Sequence, residues 1–176
     1  MKVIDLSMPL YDGMPVYPGD PEVKIELLHT YEAQQWELRR LSFGSHTGTH
    51  VDAFSHMHSG GASLDQMDLT RFFGPAMLVS LADEWPQGVG LLFSEAIDQS
   101  YFDKIIVAGP GFVGGDLSVE LERALLAKGI VTYTDLVNLE QIPQATVFTF
   151  WGLPLNIQGG DGSPVRAVAV FNGKED

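Results

Sequence analysis

The residues best suited to chemistry lie in one short stretch, residues 46–58, which reads HTGTHVDAFSHMH. Four of the protein's five histidines fall within these thirteen residues. The same stretch holds one carboxylate, Asp52, and a glycine, Gly48, which allows the backbone to bend. Imidazole nitrogen and carboxylate oxygen are ligands for zinc, and they also suit manganese and iron. The clustering therefore predicts a metal site at the centre of the function.

The spacing of these side chains leaves more than one local structure open. In an extended strand alternate residues point to the same side, so His46, His50 and Asp52 share a face. A straight strand nevertheless separates His46 from His50 by roughly 13 Å, at about 3.3 Å per residue, which is too far for one ion. A helix places these two imidazoles on one face, although Gly48 and the neighbouring β-branched residues disfavour it. A bent loop or short turn at Gly48 is the alternative, and both geometries stay open.

A metal held by two imidazoles and a carboxylate, with one open coordination position, limits the reactions that the site could catalyse. Such an ion lowers the pKa of bound water towards about 7 and polarises a carbonyl group, so hydrolysis needs one further group that moves protons. His56 lies just beyond the expected ligands, and an unperturbed imidazole pKa of about 6.5 suits that task. His58 either contacts a metal ligand without binding the ion itself or is simply exposed to solvent. Nucleophilic catalysis is less favoured, because cysteine is absent and no serine lies in a G-x-S-x-G turn.

Composition argues against several other classes of function. Ten Lys and Arg residues against 23 Asp and Glu residues give a formal net charge of −13, which disfavours nucleic acid and anionic membranes as partners. The absence of cysteine excludes disulfides and cysteine-type zinc sites. Residues 1–5 do not resemble a signal peptide, and no apolar run approaches the roughly 18 to 20 residues of a membrane span. We expect a soluble, cytoplasmic protein in which residues 1–176 form one domain.

Hydrophobic patterns predict an α/β domain that is rich in strands and has few helices. A half-buried strand at residues 23–27 is expected to pair with an antiparallel partner within residues 36–43. The clearest helix runs from an N-cap at Ser118 to a terminator at Gly129. The sequence DGSP at residues 161–164 predicts a turn. Further strands are expected at residues 3–6, 76–81, 104–108, 130–135, 146–150 and 165–171.

Three motifs, in this order, resemble those of one known family. Residues 46–56, H-x-G-T-H-x-D-x-x-x-H, are similar to the H-x-G-T-H-x-D-x-P-x-H signature of the cyclase family, which includes bacterial kynurenine formamidases and isatin hydrolase. Residues 14–20 (MPVYPGD) look like its M-P-V-W-P-G-D segment, and residues 162–167 (GSPVRA) look like its closing G-S-P-V-R-A. The resemblance extends over most of the chain. It implies a swivelling β/β/α domain, usually in a homodimer, that hydrolyses a small amide-like bond with a divalent metal.

The resemblance also implies roles for individual residues. His46, His50 and Asp52 would be metal ligands, with Asp52 able to bridge to a second ion. His56 would be the residue that transfers protons. Tyr17, which stands where the family often has Trp, would pack against the ring of the substrate.

Three positions depart from the family pattern. Phe54 replaces the proline of the signature. The family completes its metal site with a His on the late helix and a Glu or Gln twelve residues later, and the matching positions here are Glu122 and Thr134. Glu122 would serve as a carboxylate ligand or, alternatively, would be a solvated helix glutamate. Thr134 is a poor metal ligand.

We therefore expect a metal-dependent hydrolase that acts on a small amide, formamide or lactam-like substrate. Metal-activated water would be the nucleophile and His56 the acid/base. The expected cofactor is a divalent metal, zinc or manganese, present as one or two ions. The alternative is a catalytically degenerate relative that binds a small ligand or a metal without turnover.

Overall fold

The computed structural model describes residues 1–171, and these form the strand-rich α/β fold that the sequence predicts. In chain order the strands and α-helices are β1 (Lys2–Asp5), β2 (Lys24–His29), α1 (Tyr31–Gln34), β3 (Leu38–Ser42), β4 (His50–Asp52), β5 (Phe73–Leu78), β6 (Gly90–Leu92), α2 (Phe102–Ala108), β7 (Phe112–Gly114), α3 (Val119–Ala127), β8 (Val131–Thr134), β9 (Val147–Trp151), β10 (Gly162–Pro164) and β11 (Val168–Phe171). Short 3₁₀ turns lie at Phe54–His56, Leu64–Gln66, Leu69–Phe72, Gln99–Tyr101 and Leu139–Gln141.

Nine of the described strands form one mixed sheet, in the order β1-β11-β9-β5-β6-β7-β8-β4-β10. The strands β5, β6, β7 and β8 are parallel neighbours, whereas the strands on either side of them pair antiparallel. Parallel neighbours need a crossover connection, and α2 and α3 supply it between β6, β7 and β8. The histidine-rich stretch enters this sheet as β4, next to the edge strand β10.

The two faces of the sheet belong to two separate apolar clusters. Successive residues of a strand point to opposite faces, so Leu91 of β6 joins the cluster that contains buried residues of α2 and α3, and Leu92 joins the other cluster. In α3 the predicted cap at Ser118 is confirmed, because its side chain accepts a hydrogen bond from the Leu121 N–H. The helix buries Leu121 and Leu125 completely. The clusters combine the predicted strands and α3 with residues of β6, β7 and α2, elements that the sequence pattern does not predict.

The strand predicted at residues 104–108 is wrong, because these residues belong to α2. Ile105 and Ala108 are buried whereas Val107 is 74 % exposed, a spacing that fits one face of a helix and not the alternation of a strand. Gly109, with a φ of 61°, ends the helix in the left-handed conformation. Within residues 1–171 no helix is long and apolar enough to cross a membrane.

The predicted antiparallel pair β2–β3 is confirmed, but it is not half-buried against the rest of the protein. Its two strands form a separate sheet with Ile25 opposite Leu41, and β3 is exposed along its whole length. The turn predicted at residues 161–164 is also wrong. Gly162–Pro164 is instead a strand, β10, because its backbone pairs with β4.

We expect Tyr133→Phe to destabilise the fold by about 1 to 3 kcal/mol. Tyr133 is completely buried, and its hydroxyl group contacts the carbonyl oxygens of Gly152 at 3.0 Å and Phe72 at 3.2 Å. Its removal leaves these two carbonyls without that donor. Denaturant unfolding measures the loss, with Tyr11→Phe as the control because Tyr11 is 52 % exposed. Equal stability of the two variants would contradict the expectation.

Candidate metal centre

The strand β4 carries two of the predicted ligands on one face. Val51 is fully buried in an apolar cluster, so His50 and Asp52, one residue before and after it, point to the opposite side. The register between β4 and β8 places Thr134 opposite His50 and Thr132 opposite Asp52. Side chains that face each other across an antiparallel pair lie on the same side of the sheet. Two threonines therefore stand beside the two ligands.

A bend at Gly48 brings the third predicted ligand, His46, back to this face. Gly48 has a φ of 60°, a left-handed conformation that favours glycine, and a Cβ atom there would lie 2.8 Å from the end of the Leu10 side chain. The bent loop is thus the geometry observed, and the helix is not. The His46 Nδ1 atom lies 2.8 Å from the Asp52 Oδ1 atom.

The polar side chains of the site make their contacts with the Asp52 carboxylate. It is 1 % exposed, and its Oδ1 atom lies 2.8 Å from the His46 Nδ1 atom and 3.6 Å from the His50 Nε2 atom. Its Oδ2 atom accepts a hydrogen bond from the Thr132 hydroxyl at 2.9 Å. Burial alone raises the pKa of Asp52, but hydrogen bonds from His46 and Glu122 outweigh it and hold the pKa well below its usual range. Asp52 is therefore a buried carboxylate anion.

Glu122 reaches this carboxylate from α3. Glu122 lies one helical turn before Leu126, on the buried face of α3, and is only 8 % exposed. The alternative that Glu122 is a solvent-exposed helix glutamate is therefore wrong. Burial raises the pKa of Glu122, and the hydrogen bond to Asp52 raises it further. Glu122 consequently keeps its proton at neutral pH and donates a hydrogen bond to the Asp52 carboxylate.

The contacts of His50 leave one of its nitrogens suited to binding a metal. Its Nδ1 atom lies 2.6 Å from the Gly48 carbonyl oxygen, which can only accept, so Nδ1 carries the proton. The Nε2 atom then has a free lone pair, and it accepts from the Thr134 hydroxyl at 2.8 Å. Thr134 thus lies at the site, as the comparison of motifs implies, but as a partner of His50.

Sequence reasoning missed Asp161. Its Oδ2 atom lies 3.0 Å from the His46 Nε2 atom and 3.6 Å from the His56 Nδ1 atom. The hydroxyl of Ser45 donates to its Oδ1 atom at 2.9 Å. The sequence holds one signal for this placement, since Asp161 directly precedes the segment 162–167 that resembles a family motif. Interpreting the same residues as a turn concealed it.

His46 and His56 differ in charge although their ring centroids are only 3.8 Å apart. Burial lowers the pKa of His46, but hydrogen bonds to Asp52 and Asp161 outweigh it and raise the pKa to about 8. Burial also lowers the pKa of His56, and the charge of His46 lowers it further. At neutral pH His56 is therefore the uncharged imidazole that is able to accept a proton.

Two other residues considered from the sequence lie elsewhere. The Nε2 atom of His58 lies 2.7 Å from the carbonyl oxygen of Arg123 in α3, so His58 donates to that helix. Tyr17 is 70 % exposed on a turn that is closed by a hydrogen bond from the Asp20 N–H to the Tyr17 carbonyl. Its role in substrate binding stays a prediction.

The donor set fits a divalent metal ion. One ligand atom each from His46, Asp52 and His56 lie within 4.8 Å of one another, a group that contains His56 and not His50. Two ligands at about 2.1 Å from a tetrahedral ion stand about 3.4 Å apart. The separations of 2.8 Å and 3.6 Å between the Asp52 Oδ1 atom and the nitrogens of His46 and His50 lie on either side of that value.

Comparisons with known proteins identify the family of the chain. The family model described as "Putative cyclase" matches residues 4–106. A kynurenine formamidase of Salinibacter ruber is 31 % identical, over 96 % of this chain and 97 % of its own. The structure of isatin hydrolase A from Labrenzia aggregata has a TM-score of 0.83 at 21 % identity and covers 96 % of this chain and 93 % of its own, which shows the same fold. A structure described as a potential metal-dependent hydrolase with cyclase activity is 25 % identical with a TM-score of 0.72, over 96 % of both chains. The chain belongs to the cyclase family.

Proposed function

We propose that this protein is a metal-dependent hydrolase of small amides or formamides, with His46, His50 and Asp52 as metal ligands. The convergence of two imidazole nitrogens on one oxygen of the buried Asp52 carboxylate is the observation that carries this proposal. The name of the Salinibacter ruber relative, a kynurenine formamidase, supports an aryl formamide as the substrate class. The ligand set favours zinc or manganese.

The protein's own contribution to the reaction is to hold charge and to move a proton. When bound, a divalent ion supplies Lewis acidity, which activates water and polarises the amide carbonyl. His56 is uncharged at neutral pH and lies beside His46, so it takes the proton of the attacking water. It then returns that proton to the leaving nitrogen, which cannot depart as an anion. His56 thus acts in turn as general base and general acid.

Glu122 is proposed as a further ligand. Its carboxyl group faces Asp52, so loss of its proton creates a second buried anion next to the first. Such a pair suits a divalent cation, and Asp52, with two oxygens, would bridge to a second ion. Thr134 occupies the position where a stronger ligand would complete that second site. Either one or two ions are therefore compatible with the proposal.

The hairpin β2–β3 supports a homodimer. Cross-strand partners place Ile25, Leu27 and Leu41 on one face together with Arg39, whereas Glu26 and Arg40 form an ion pair on the other. Leu27 is 44 % exposed and Leu41 is 58 % exposed. A two-stranded hairpin is only marginally stable alone in water. We propose that a second copy of the chain covers this apolar face.

We expect His56→Ala to lower the turnover of an aryl formamide by about 10²- to 10⁴-fold while the metal content per chain is unchanged. The variant removes the proton carrier and leaves the proposed ligands His46, His50 and Asp52 in place. Loss of the metal would instead make His56 a ligand, since its ring lies in one donor group with His46 and Asp52. Elemental analysis and a steady-state assay with added zinc or manganese measure the two effects. His58→Ala is the matched control, because His58 contacts α3 instead of the site. A metal-loaded wild-type protein that hydrolyses no amide, formamide or lactam would favour the degenerate, ligand-binding alternative.

We expect the metal-free protein to lose stability as the pH rises from 6.5 to above 8. The folded state raises the pKa of His46 from 6.5 to about 8, so it holds a proton that the unfolded chain has lost. This difference is worth about 2 kcal/mol, present below pH 6.5 and lost through pH 8. The raised pKa of Glu122 acts in the same direction. Denaturant unfolding with a chelator present measures the free energy at each pH.

The variant Glu122→Gln separates the two groups in this pH dependence. This variant has no titrating group at residue 122. Its free energy of unfolding should therefore fall less steeply with pH than that of the wild type, and the remaining decrease comes from His46. A wild-type free energy of unfolding that is constant or rises over this pH range would contradict the assignment of the two protons.

We expect Leu41→Glu to convert a dimer into a monomer, because the new carboxylate would have to be desolvated within the interface. Light scattering coupled to size-exclusion chromatography measures the molar mass. Ser42→Glu is the control, since Ser42 is the next residue of β3 and points to the opposite face of the hairpin. A wild-type mass of one chain, or a dimer that survives Leu41→Glu, would refute this interface.

A further inference from the structure

Both nitrogens of His46 face a carboxylate, and this arrangement assigns a role to the second of them. The Nδ1 atom lies 2.8 Å from Asp52, and the Nε2 atom lies 3.0 Å from Asp161. A metal-binding imidazole offers one nitrogen to the ion, and its other N–H usually donates to a carboxylate or carbonyl oxygen. Asp52 lies on the side of the other proposed ligands, because His50 approaches the same carboxylate oxygen at 3.6 Å. The metal-facing nitrogen of His46 is thus Nδ1.

Asp161 is itself held in place to meet the other nitrogen. Its Oδ1 atom accepts from the Ser45 hydroxyl at 2.9 Å, and its backbone carbonyl accepts from the Ala53 N–H at 2.8 Å. Its Oδ2 atom is left directed at His46. The 3.6 Å separation from the His56 Nδ1 atom is too long for a hydrogen bond, so the contact with His46 is the one that positions a ring.

The neighbouring Gly162 fixes the same ring by an independent contact. A Cβ atom built on Gly162 would lie 2.3 Å from the His46 Cε1 atom and 2.8 Å from Nδ1. The imidazole therefore packs directly on the backbone of β10, which pairs with β4 so that Gly162 stands opposite Asp52. Any side chain at this position displaces the ring of His46.

We propose that Asp161 is a positioning residue of the metal centre, which holds the Nε2 proton of His46 and so commits Nδ1 to the metal. This inference rests on the proposed function, in which His46 is a ligand. Asp161 contributes no bond to the ion. It acts through the orientation and tautomer of His46, and Gly162 provides the space in which that orientation fits.

The first test is the zinc affinity of Asp161→Ala and Asp161→Asn, measured by competition with a chromophoric chelator. We expect Asp161→Ala to weaken binding by about 10- to 100-fold, the effect usual for a carboxylate behind a ligating histidine. Asp161→Asn should recover part of this loss, because its amide oxygen still accepts the Nε2 proton. Asp116→Asn at an exposed site is the control. Unchanged affinity in Asp161→Ala would overturn the inference and leave the proposed function intact.

A second measurement does not depend on any variant folding. In the zinc-loaded wild-type protein, long-range ¹H–¹⁵N spectra of His46 should show a proton on Nε2 and the metal on Nδ1. The reverse tautomer would overturn the inference even if the affinity falls, because Asp161 would then contact the metal side of the ring. Failure of the wild-type protein to bind zinc or manganese would instead overturn the proposed function, and this inference with it.

The third variant tests the contact at Gly162. Gly162→Ala should weaken zinc binding at least as much as Asp161→Ala, because its methyl group and the ring of His46 would occupy the same space. Gly111→Ala is the matched control, since a Cβ atom there meets nothing within 4 Å. Equal zinc affinity in both alanine variants would contradict the packing of His46 on β10.

Discussion

The burial of one carboxylate, Asp52, constrains the rest of the site. An ionised carboxylate that is 1 % exposed is costly unless its oxygens are hydrogen-bonded and its charge is compensated. Thr132 donates to one oxygen, and His46 and Glu122 donate to the carboxylate as a whole. These partners come from β8, from the loop before β4 and from α3. If any of the three elements moved, a buried oxygen of Asp52 would lose its hydrogen-bond donor. The anion therefore fixes the distances between the helix, the loop and the sheet.

Strand register is the physical means by which these partners reach the anion. The antiparallel pairs of β4 with β8 and β10 place Thr132 and Gly162 on either side of Asp52. A shift of one residue in either pair would turn the neighbouring side chains to the opposite face, where the apolar cluster around Val51 lies. The hydrophobic pattern that buries Val51 and Tyr133 therefore also sets the geometry of the polar site.

The sequence predicts the part of the site that is local in the chain. His46, His50 and Asp52 lie within seven residues, so the chemistry of their side chains and the flexibility of Gly48 suffice to group them. The position of Glu122 comes from the resemblance of motifs, because nothing local distinguishes a buried helix glutamate from a solvated one. Asp161 could not be placed in this way. Its contact with His46 spans 115 residues and depends on β10, a three-residue strand whose Gly-Ser-Pro sequence is typical of a turn.

The proton content of the site explains why a divalent cation suits it. Three carboxyl groups, those of Asp52, Glu122 and Asp161, surround the imidazoles. Without a metal, the raised pKa values of His46 and Glu122 keep a proton on each, and these two protons offset two of the three negative charges. A divalent ion carries the same charge as the two protons that it would displace. With the proposed ligands, metal binding would leave the net charge of the site unchanged, and it would release protons as ligation by imidazole and carboxylate requires. The clustering of acids around His46 is accordingly the arrangement that the proposed site would need to exchange protons for metal.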